Sequence, residues 1–243
     1  IKLNNGVEMP LLGFGVFQIP PEDTERCVLE ALKIGYRLID TAQAYFNEKE
    51  VGNAIKKSGI PREEIFIVTK IWVTNFEYEK AKKSIETSLA KLQTDYIDLM
   101  LLHQPFGDCY GAYRALIEYY KQKKIRAIGL SNFFPYRYID LAFHFDIKPA
   151  VNQTETHILC QQEELAEVMK EDDCKLMSWG PLGEAKKELL ENENLIKIAK
   201  KYNKTVAQIA LKYLYQNDII VIPKTVNVDR MKENFNILDF EIS

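Results

Sequence analysis

The chain has 243 residues, of which 47% are hydrophobic and 28% are charged, and its formal net charge is -3 at pH 7. This size and composition predict one soluble globular domain over residues 1–243, with no linker or low-complexity segment to divide it. The near-neutral charge balance gives no reason to expect nucleic acid or an anionic membrane as a partner, and charged residues interrupt every longer apolar stretch. We therefore expect a monomer without nucleic-acid or membrane partners.

Apolar runs alternate with helical patterns along the whole chain. Near the start, Asn5-Gly6 stands between short apolar pieces and indicates a β-hairpin that covers one end of the fold. Buried strands are predicted near residues 14–17, 36–40, 65–70, 97–102, 125–130, 149–153, 175–179 and 219–223. Helices are predicted near residues 22–34, 48–58, 77–92, 111–123, 136–145, 161–172, 205–216 and 228–236, with room for one more at 193–202.

Eight strand–helix units of this kind predict an α/β fold, a (β/α)8 TIM barrel with parallel strands and right-handed crossovers. Only a few residues, 237–243, follow the last predicted helix. We therefore expect a truncated or short C-terminal tail.

The cysteines give no sign of a metal site or of disulfides. Cys27, Cys109, Cys160 and Cys174 form no Cys-x-x-Cys pair and show no metal-ligand spacing. We interpret them as reduced thiols of a cytoplasmic protein. Cys109 follows a predicted strand, but a nucleophilic thiolate needs an activating base, and none is identified for it.

Polar or aromatic side chains stand at the ends of the predicted strands. Tyr36-Arg-Leu-Ile-Asp40 ends at a carboxylate, Ile65-Phe-Ile-Val-Thr-Lys70 at an ammonium group, and Ile97-Asp-Leu-Met-Leu-Leu-His103 at an imidazole. The later runs end at Ser131-Asn132, Gln153, Trp179 and Lys224. A (β/α)8 barrel gathers its strand C-termini on one face, where its catalytic groups lie. These residues are therefore expected to converge on one site.

The residues Asp40, Tyr45, Lys70 and His103 predict proton donation to a carbonyl oxygen. Singly, each has a structural explanation: Asp40 suits a helix cap, and a lone histidine is often a hydrogen-bonded core residue. Together they are harder to explain, because a buried Lys70 requires a carboxylate partner and Asp40 is the candidate. A nearby ammonium group favours the phenolate and so makes Tyr45 a better acid. His103 would hydrogen-bond and orient the substrate oxygen.

These motifs in combination resemble the aldo-keto reductase family. The segments that carry the resemblance are Asp40-Thr-Ala-Gln-Ala-Tyr45, Asn47-Glu48, Glu50-Val51-Gly52, Thr69-Lys70-Ile71-Trp72, Asp95-Tyr-Ile-Asp-Leu99 with His103, Gly129-Leu-Ser-Asn132-Phe133, Val151-Asn-Gln153 and Ile222-Pro-Lys224-Thr225. The resemblance runs to Asp239 and is nearest to bacterial diketogluconate and methylglyoxal reductases. It implies a catalytic tetrad of Asp40, Tyr45, Lys70 and His103, with Tyr45 as general acid. The implied reaction is the NADPH-dependent reduction of an aldehyde or ketone to an alcohol.

The resemblance also implies an NADP(H) site, although Gly13-Phe-Gly15 is not a complete dinucleotide fingerprint. Ser131, Asn132 and Gln153 would bind the carboxamide. Trp179, where many relatives have tyrosine, would stack on the nicotinamide ring. The other cofactor positions implied are Leu182, Lys224, Thr225, Arg230, Glu233 and Asn234.

The basic pair at the last strand–helix unit predicts tighter binding of NADPH than of NADH. A lysine and an arginine, Lys224 and Arg230, are placed to meet one phosphate, and a guanidinium group binds phosphate through two hydrogen bonds. Without the resemblance, the pair would be interpreted as a solvated surface.

Aromatic residues after the strands predict a pocket for a small carbonyl substrate. Phe17 and Trp72 match pocket positions of the family, and Phe106 is assigned by its position alone. Each could instead pack a loop onto the rim. Phe46 either narrows the site or packs away from it, and His157 is predicted to be structural because no catalytic partner lies near it in sequence.

Two other functions remain open at this point. The chain could be an NADP(H)-binding barrel that acts as a redox sensor or regulatory subunit. It could also be a barrel hydrolase that uses Asp40 and His103 on a phosphate or metal, although three histidines make a metal site a weak hypothesis.

Overall fold

The computed structural model describes residues 1–243 and contains one eight-stranded parallel sheet. Its strands are β1 Phe14–Gly15, β2 Leu38–Asp40, β3 Phe66–Ile71, β4 Ile97–Leu102, β5 Ile125–Ser131, β6 Val151–Glu155, β7 Lys175–Trp179 and β8 Ile220–Val221. Each strand pairs in parallel with the next along the chain. The sheet closes because Gly13 N–H donates to the Val221 carbonyl at 2.8 Å, and Val221 N–H donates to Leu11. The prediction of an α/β barrel is confirmed.

Nine of the ten helices lie in the connections between strands, and the tenth follows the last strand. They are α1 Pro21–Ile34, α2 Glu48–Ser58, α3 Tyr78–Leu92, α4 Cys109–Lys121, α5 Pro135–His144, α6 Glu163–Met169, α7 Lys187–Leu190, α8 Glu193–Tyr202, α9 Val206–Gln216 and α10 Val228–Phe235. All the predicted helices are present, including the additional one near 193–202. The four-residue helix α7 was not predicted, because it is too short to show a helical period. None of the helices combines the length and apolar composition that a membrane span requires.

Several strands and helices begin or end at residues other than those predicted, each for a physical reason. Strand β6 begins at Val151 rather than 149 because Pro149 has no N–H to donate to a ladder. Strand β8 is shorter than predicted, with Pro223 just beyond it. Helix α4 begins at Cys109 rather than 111, since the Asp108 carboxylate accepts the Gly111 N–H at 2.8 Å as an N-cap.

The first nine residues fold back on themselves at a tight turn. Lys2 and Glu8 form a single antiparallel bridge, and Leu3 N–H donates to the Val7 carbonyl at 2.9 Å. Leu3 and Met9 are buried in the same apolar cluster as the inward side chains of the strands. Residues 236–243, after α10, form neither helix nor strand.

The alternation of side chains along the strands decides what reaches the cavity. On β3, Phe66 and Val68 belong to the cluster inside the barrel, whereas Ile67 and Ile71 pack outwards among the helices. Because strand side chains alternate, Lys70 is the next inward position on β3. Counting by two from the other inward apolar residues gives Asp40, His103, Ser131, Gln153, Trp179 and Lys224. The polar residues at the strand ends therefore form the last inward layer of the barrel.

Candidate active site

A fully buried ion pair lies at the centre of this layer. The Lys70 ammonium is 2.7 and 2.9 Å from the two Asp40 carboxylate oxygens and donates to the Thr41 carbonyl at 2.9 Å. The side chains of Lys70 and Asp40 are 0% and 2% exposed. Burial alone would lower the pKa of Lys70, but the attraction of Asp40 and Tyr45 outweighs it and the pKa is raised. Lys70 is therefore held as a cation.

The phenol of Tyr45 lies next to the Lys70 ammonium group. It ends a short 3-10 turn, Gln43–Tyr45, that follows β2, and its hydroxyl is 3.3 Å from the Lys70 nitrogen. Burial raises the pKa of Tyr45, while the charge of Lys70 lowers it, and the net direction is upwards. The predicted effect of Lys70 is thus present but smaller than the effect of burial. Tyr45 is therefore protonated at neutral pH and can donate its proton.

His103 presents a neutral imidazole to the same space. Its ring packs edge-on against Tyr45 and Trp72, with ring centroids 5.6 and 5.1 Å apart. Burial, and then the charge of Lys70, lower the pKa of His103 to about 3. Its Nδ1 is buried without a hydrogen-bond partner, which leaves Nε2 as the ring nitrogen able to meet a ligand. A neutral imidazole at this place can donate one hydrogen bond to a substrate oxygen.

A cavity of about 700 Å³ opens over these groups. Ten of the predicted site residues line it: Phe17, Asp40, Tyr45, His103, Ser131, Asn132, Gln153, Trp179, Leu182 and Lys224. Lys70 does not line the cavity, but its ammonium group contacts Tyr45, which does.

Gln153 and Trp179 are fixed by hydrogen bonds within this wall. The Gln153 amide nitrogen donates to Asp40 at 2.8 Å, and the Trp179 indole N–H donates to the Asn132 side-chain oxygen at 2.9 Å. The Asn132 amide nitrogen in turn donates to the His103 backbone carbonyl at 3.1 Å. One hydrogen-bond chain thus links Trp179 through Asn132 to the backbone of His103, and a separate bond links Gln153 to Asp40.

The remaining predicted cofactor residues lie outside the cavity, on or beside α10. Arg230 is exposed, and neither it nor Lys224 has a salt-bridge partner. The Glu233 carboxylate accepts the Thr205 hydroxyl at 2.9 Å, which ties α10 to the start of α9. Thr225 accepts the Asn227 N–H at 3.2 Å, and Asn234 is buried. The structure thus leaves two unpaired cations on this side of the barrel.

The aromatic residues of the predicted substrate pocket differ in position. The Phe17 ring packs on Tyr45 at 4.9 Å, and Trp72 packs on His103. Phe106 is 64% exposed and does not line the cavity. Phe46, whose role was open, is 79% exposed and also lies outside the lining. Its left-handed backbone, with φ of 57°, ends the turn that carries Tyr45.

Several lining residues had not been predicted from the sequence. They are Gly15, Gln18, Gln104, Phe134, Gly180, Pro181, Glu184, Ala185, Ile222 and Pro223. Ile222 could have been found by counting inward positions on β8, since it is two residues before Lys224. The others lie on loops or immediately beside the strand ends, where no periodic pattern indicates a direction.

The structure gives the hydrolase hypothesis no ligand set. No group of three or more His, Cys, Asp or Glu side chains is placed to hold a metal ion. Both oxygens of Asp40 are engaged by Lys70. His157, which is buried, pairs with Glu155 at 3.2 Å and accepts the Leu159 N–H at 3.2 Å, as expected of a structural histidine.

Known proteins resemble this chain along its whole length. The family model described as "Aldo/keto reductase family" matches residues 11–243. A glyoxal reductase of Bacillus subtilis (strain 168) is 45% identical over 245 residues, which cover 100% of this chain and 88% of the relative. Methylglyoxal reductase DkgA of Yersinia pestis is 42% identical over 245 residues, with the same coverage of 100% and 88%.

Solved structures agree with these relatives. An aldo/keto reductase from Brucella melitensis is 43% identical and superposes with a TM-score of 0.96, covering 100% of this chain and 94% of that one. MGS-M4, an aldo-keto reductase from a Medee basin deep-sea metagenome library, is 44% identical with a TM-score of 0.98, covering 100% and 90%. The chain therefore belongs to the aldo/keto reductase family, and it is an oxidoreductase.

Proposed function

We infer that this chain reduces an aldehyde or ketone to an alcohol with NADPH, and that Tyr45 is the general acid. The observation that carries this proposal is the contact between a buried, paired ammonium group and a phenol that lines the cavity. The relatives named as reductases do not favour the alternative of a redox sensor or regulatory subunit.

The wall of the cavity suits a nicotinamide carboxamide, which has both a donor and an acceptor. The Gln153 side-chain oxygen accepts no hydrogen bond within the chain, since only its nitrogen is engaged. The Ser131 hydroxyl accepts from Asn132 at 3.3 Å and keeps its own proton for another acceptor. Trp179 adds an aromatic surface on which a flat ring can stack. A nicotinamide dinucleotide held there would supply a hydride for the carbonyl carbon.

The chain's own residues would donate the proton and stabilise the negative charge that remains on the donor. Tyr45 would donate its phenolic proton to the carbonyl oxygen as negative charge develops there. Lys70, held charged by Asp40, would stabilise the phenolate that remains, because an ammonium group favours the ionised form of a nearby phenol. His103 would donate a hydrogen bond from Nε2 to the same oxygen and so orient the carbonyl. Asp40 would keep Lys70 in place.

A small dicarbonyl compound is the proposed substrate class. The two reductases named above carry glyoxal and methylglyoxal in their names. The test is to mix purified protein with NADPH and either compound, and to follow the loss of the reduced nicotinamide absorbance. Turnover supports the proposal. Tight NADPH binding with no turnover of any carbonyl compound would contradict it and favour the sensor.

The preference for NADPH is proposed from the two unpaired cations, Lys224 and Arg230. Removing a hydrogen bond to a charged group costs about 1.5–3 kcal/mol, so Arg230→Ala should weaken NADPH binding by roughly 10–150-fold and leave NADH binding unchanged. Lys232→Ala is the matched control, because Lys232 lies on the same helix and faces Asp229 at 3.8 Å. Equal effects of the two substitutions on NADPH binding would contradict the assignment.

Further predictions from the sequence stay proposals. They are a single domain, a monomer, a cytoplasmic location and an N-terminal hairpin that covers one barrel end.

A further inference from the structure

The side chain of Gln43 is a hydrogen-bonded link that the proposed chemistry does not use. Its nitrogen donates to the Ser84 carbonyl at 3.2 Å and to the Ser88 hydroxyl at 3.1 Å. Its oxygen accepts from the Trp72 N–H at 3.0 Å and from the Asn75 side chain at 2.9 Å. These four bonds use both donors and both acceptor sites of the amide. A half-buried amide with every site occupied has little freedom to move.

The four bonds join three pieces of backbone around the turn that carries Tyr45. Gln43 begins the 3-10 turn that ends at Tyr45. Trp72 is the second residue after Lys70, so its N–H belongs to the segment that leaves the lysine. Ser84 and Ser88 lie on α3, and Asn75 ends the 3-10 turn before that helix. Gln43 therefore fixes the turn that carries Tyr45 against the end of β3, which carries Lys70.

No other side chain of the turn can replace this link. Ala44 has no polar group, and the Tyr45 hydroxyl is the reacting group in the proposed function. The contact between Tyr45 and Lys70, at 3.3 Å, is the longest of the four that the ammonium group makes. A small shift of the turn would lengthen this contact first.

We propose that Gln43 is a positioning residue, which sets the distance between the Tyr45 hydroxyl and the Lys70 ammonium group. This inference rests on the proposed function, because it assigns to Gln43 an effect that acts through Tyr45. It predicts that loss of the amide lowers the rate of reduction without weakening the binding of NADPH.

The test uses the full chain with methylglyoxal and NADPH. Gln43→Met keeps the length of the side chain and removes all four bonds, so kcat should fall by roughly 10–100-fold, the size expected for a misplacement of about 1 Å. The Kd of NADPH should stay as in the wild type. Gln43→Glu keeps both bonds accepted from Trp72 and Asn75, so it should recover part of the lost rate.

A double substitution separates positioning from a general loss of structure. In a Tyr45→Phe background, Gln43→Met should cause little further loss of kcat. The reason is that the effects of substituting residues that act as one unit do not add. Tyr113→Phe is the stability control, since that buried hydroxyl donates to the Ile147 carbonyl at 3.1 Å from α4. It should lower the unfolding temperature and leave kcat unchanged.

Three results would overturn the inference while leaving the proposed function intact. The first is a wild-type kcat in Gln43→Met. The second is an equal loss in the presence and absence of the Tyr45 hydroxyl. The third is a rise in the Kd of NADPH as large as the fall in kcat. If Gln43→Met does not fold, Asn75→Ala removes one of the four bonds, and an unchanged kcat there counts against the inference. A wild-type protein without NADPH-dependent turnover would instead contradict the proposed function itself.

Discussion

Two buried carboxylates in this barrel meet their cations in different ways. Asp98, at the start of β4, accepts from Arg126 at 2.6 Å, from Arg62 at 2.7 Å and from the Ile67 N–H at 2.9 Å. Arg126 and Arg62 are 40% and 20% exposed. Asp40, at the opposite end of its strand, pairs with Lys70, which has no exposure to solvent.

The two ion pairs differ in whether the cation also contacts a group that can donate a proton. Arginine does not lose its proton in proteins, and the two guanidinium groups at Asp98 keep part of their hydration. That cluster joins β3, β4 and β5, and none of its three charged side chains lines the cavity. Lys70 binds Asp40 and also contacts Tyr45, whose hydroxyl lines the cavity. Of these two buried ion pairs, only that of Asp40 and Lys70 contacts a proton donor that lines the cavity.

The largest expected effect is that of Lys70→Met. This change leaves the Asp40 carboxylate buried without its cation, so the free energy of unfolding should fall by about 3–5 kcal/mol. It also removes the charge that is proposed to stabilise the phenolate, so kcat should fall by roughly 10²–10⁴-fold. Denaturant unfolding and steady-state kinetics on the same preparation measure both. Retention of the wild-type kcat would remove Lys70 from the mechanism.

Asp98→Asn should affect stability alone. The substitution removes the charge of the carboxylate but leaves two arginines that reach water, so we expect a loss of about 1–3 kcal/mol in the free energy of unfolding. With methylglyoxal, kcat should equal that of the wild type, because Asp98 does not line the cavity. A loss of kcat as large as in Lys70→Met would abolish the distinction between the two ion pairs.

A smaller effect concerns the pH dependence of stability. The pKa of His103 is about 3 in the folded protein, below the usual value, because burial disfavours the imidazolium. The unfolded chain binds a proton below about pH 6.5 and the folded one does not. The contribution of the neutral ring is therefore present above about pH 6.5 and is lost as pH falls towards 3.

His103→Gln should reduce this dependence. Between pH 7 and pH 5 the wild type should lose on the order of 1–2 kcal/mol more in unfolding free energy than the variant. Denaturant titrations at the two pH values measure the difference. Equal losses would mean that His103 is not held neutral by the fold.

Much of the barrel could be predicted because its signals are local. The apolar runs and the helical periods gave all eight strands and the main helices, and the strand ends gave Asp40, Lys70 and His103. Tyr45 was named as the proton donor because it lies just beyond Asp40, but its direction could not be predicted, because it lies on a 3-10 turn and no period indicates where such a side chain points. The cavity residues Gln18, Gln104 and Phe134 were missed for the same reason. Their directions depend on how loops pack against one another.

The energetics were also only partly accessible from the sequence. The pairing of Asp40 with Lys70 followed from the cost of burying an unpaired amine. The net pKa direction of Tyr45 did not follow, because it depends on the depth at which the phenol is buried. The role proposed for Gln43 depends on contacts to residues 29 to 45 positions away along the chain. No spacing rule in the sequence predicts such contacts.

The most direct test of the proposed mechanism is Tyr45→Phe, measured by both NADPH binding and carbonyl turnover. The substitution removes one hydroxyl and keeps the ring that packs on Phe17 and His103. We predict that kcat falls by roughly 10²–10⁴-fold, the usual worth of a general acid, while the Kd of NADPH stays unchanged. Reduction at the wild-type rate by the phenylalanine variant, with NADPH still bound, would contradict the account.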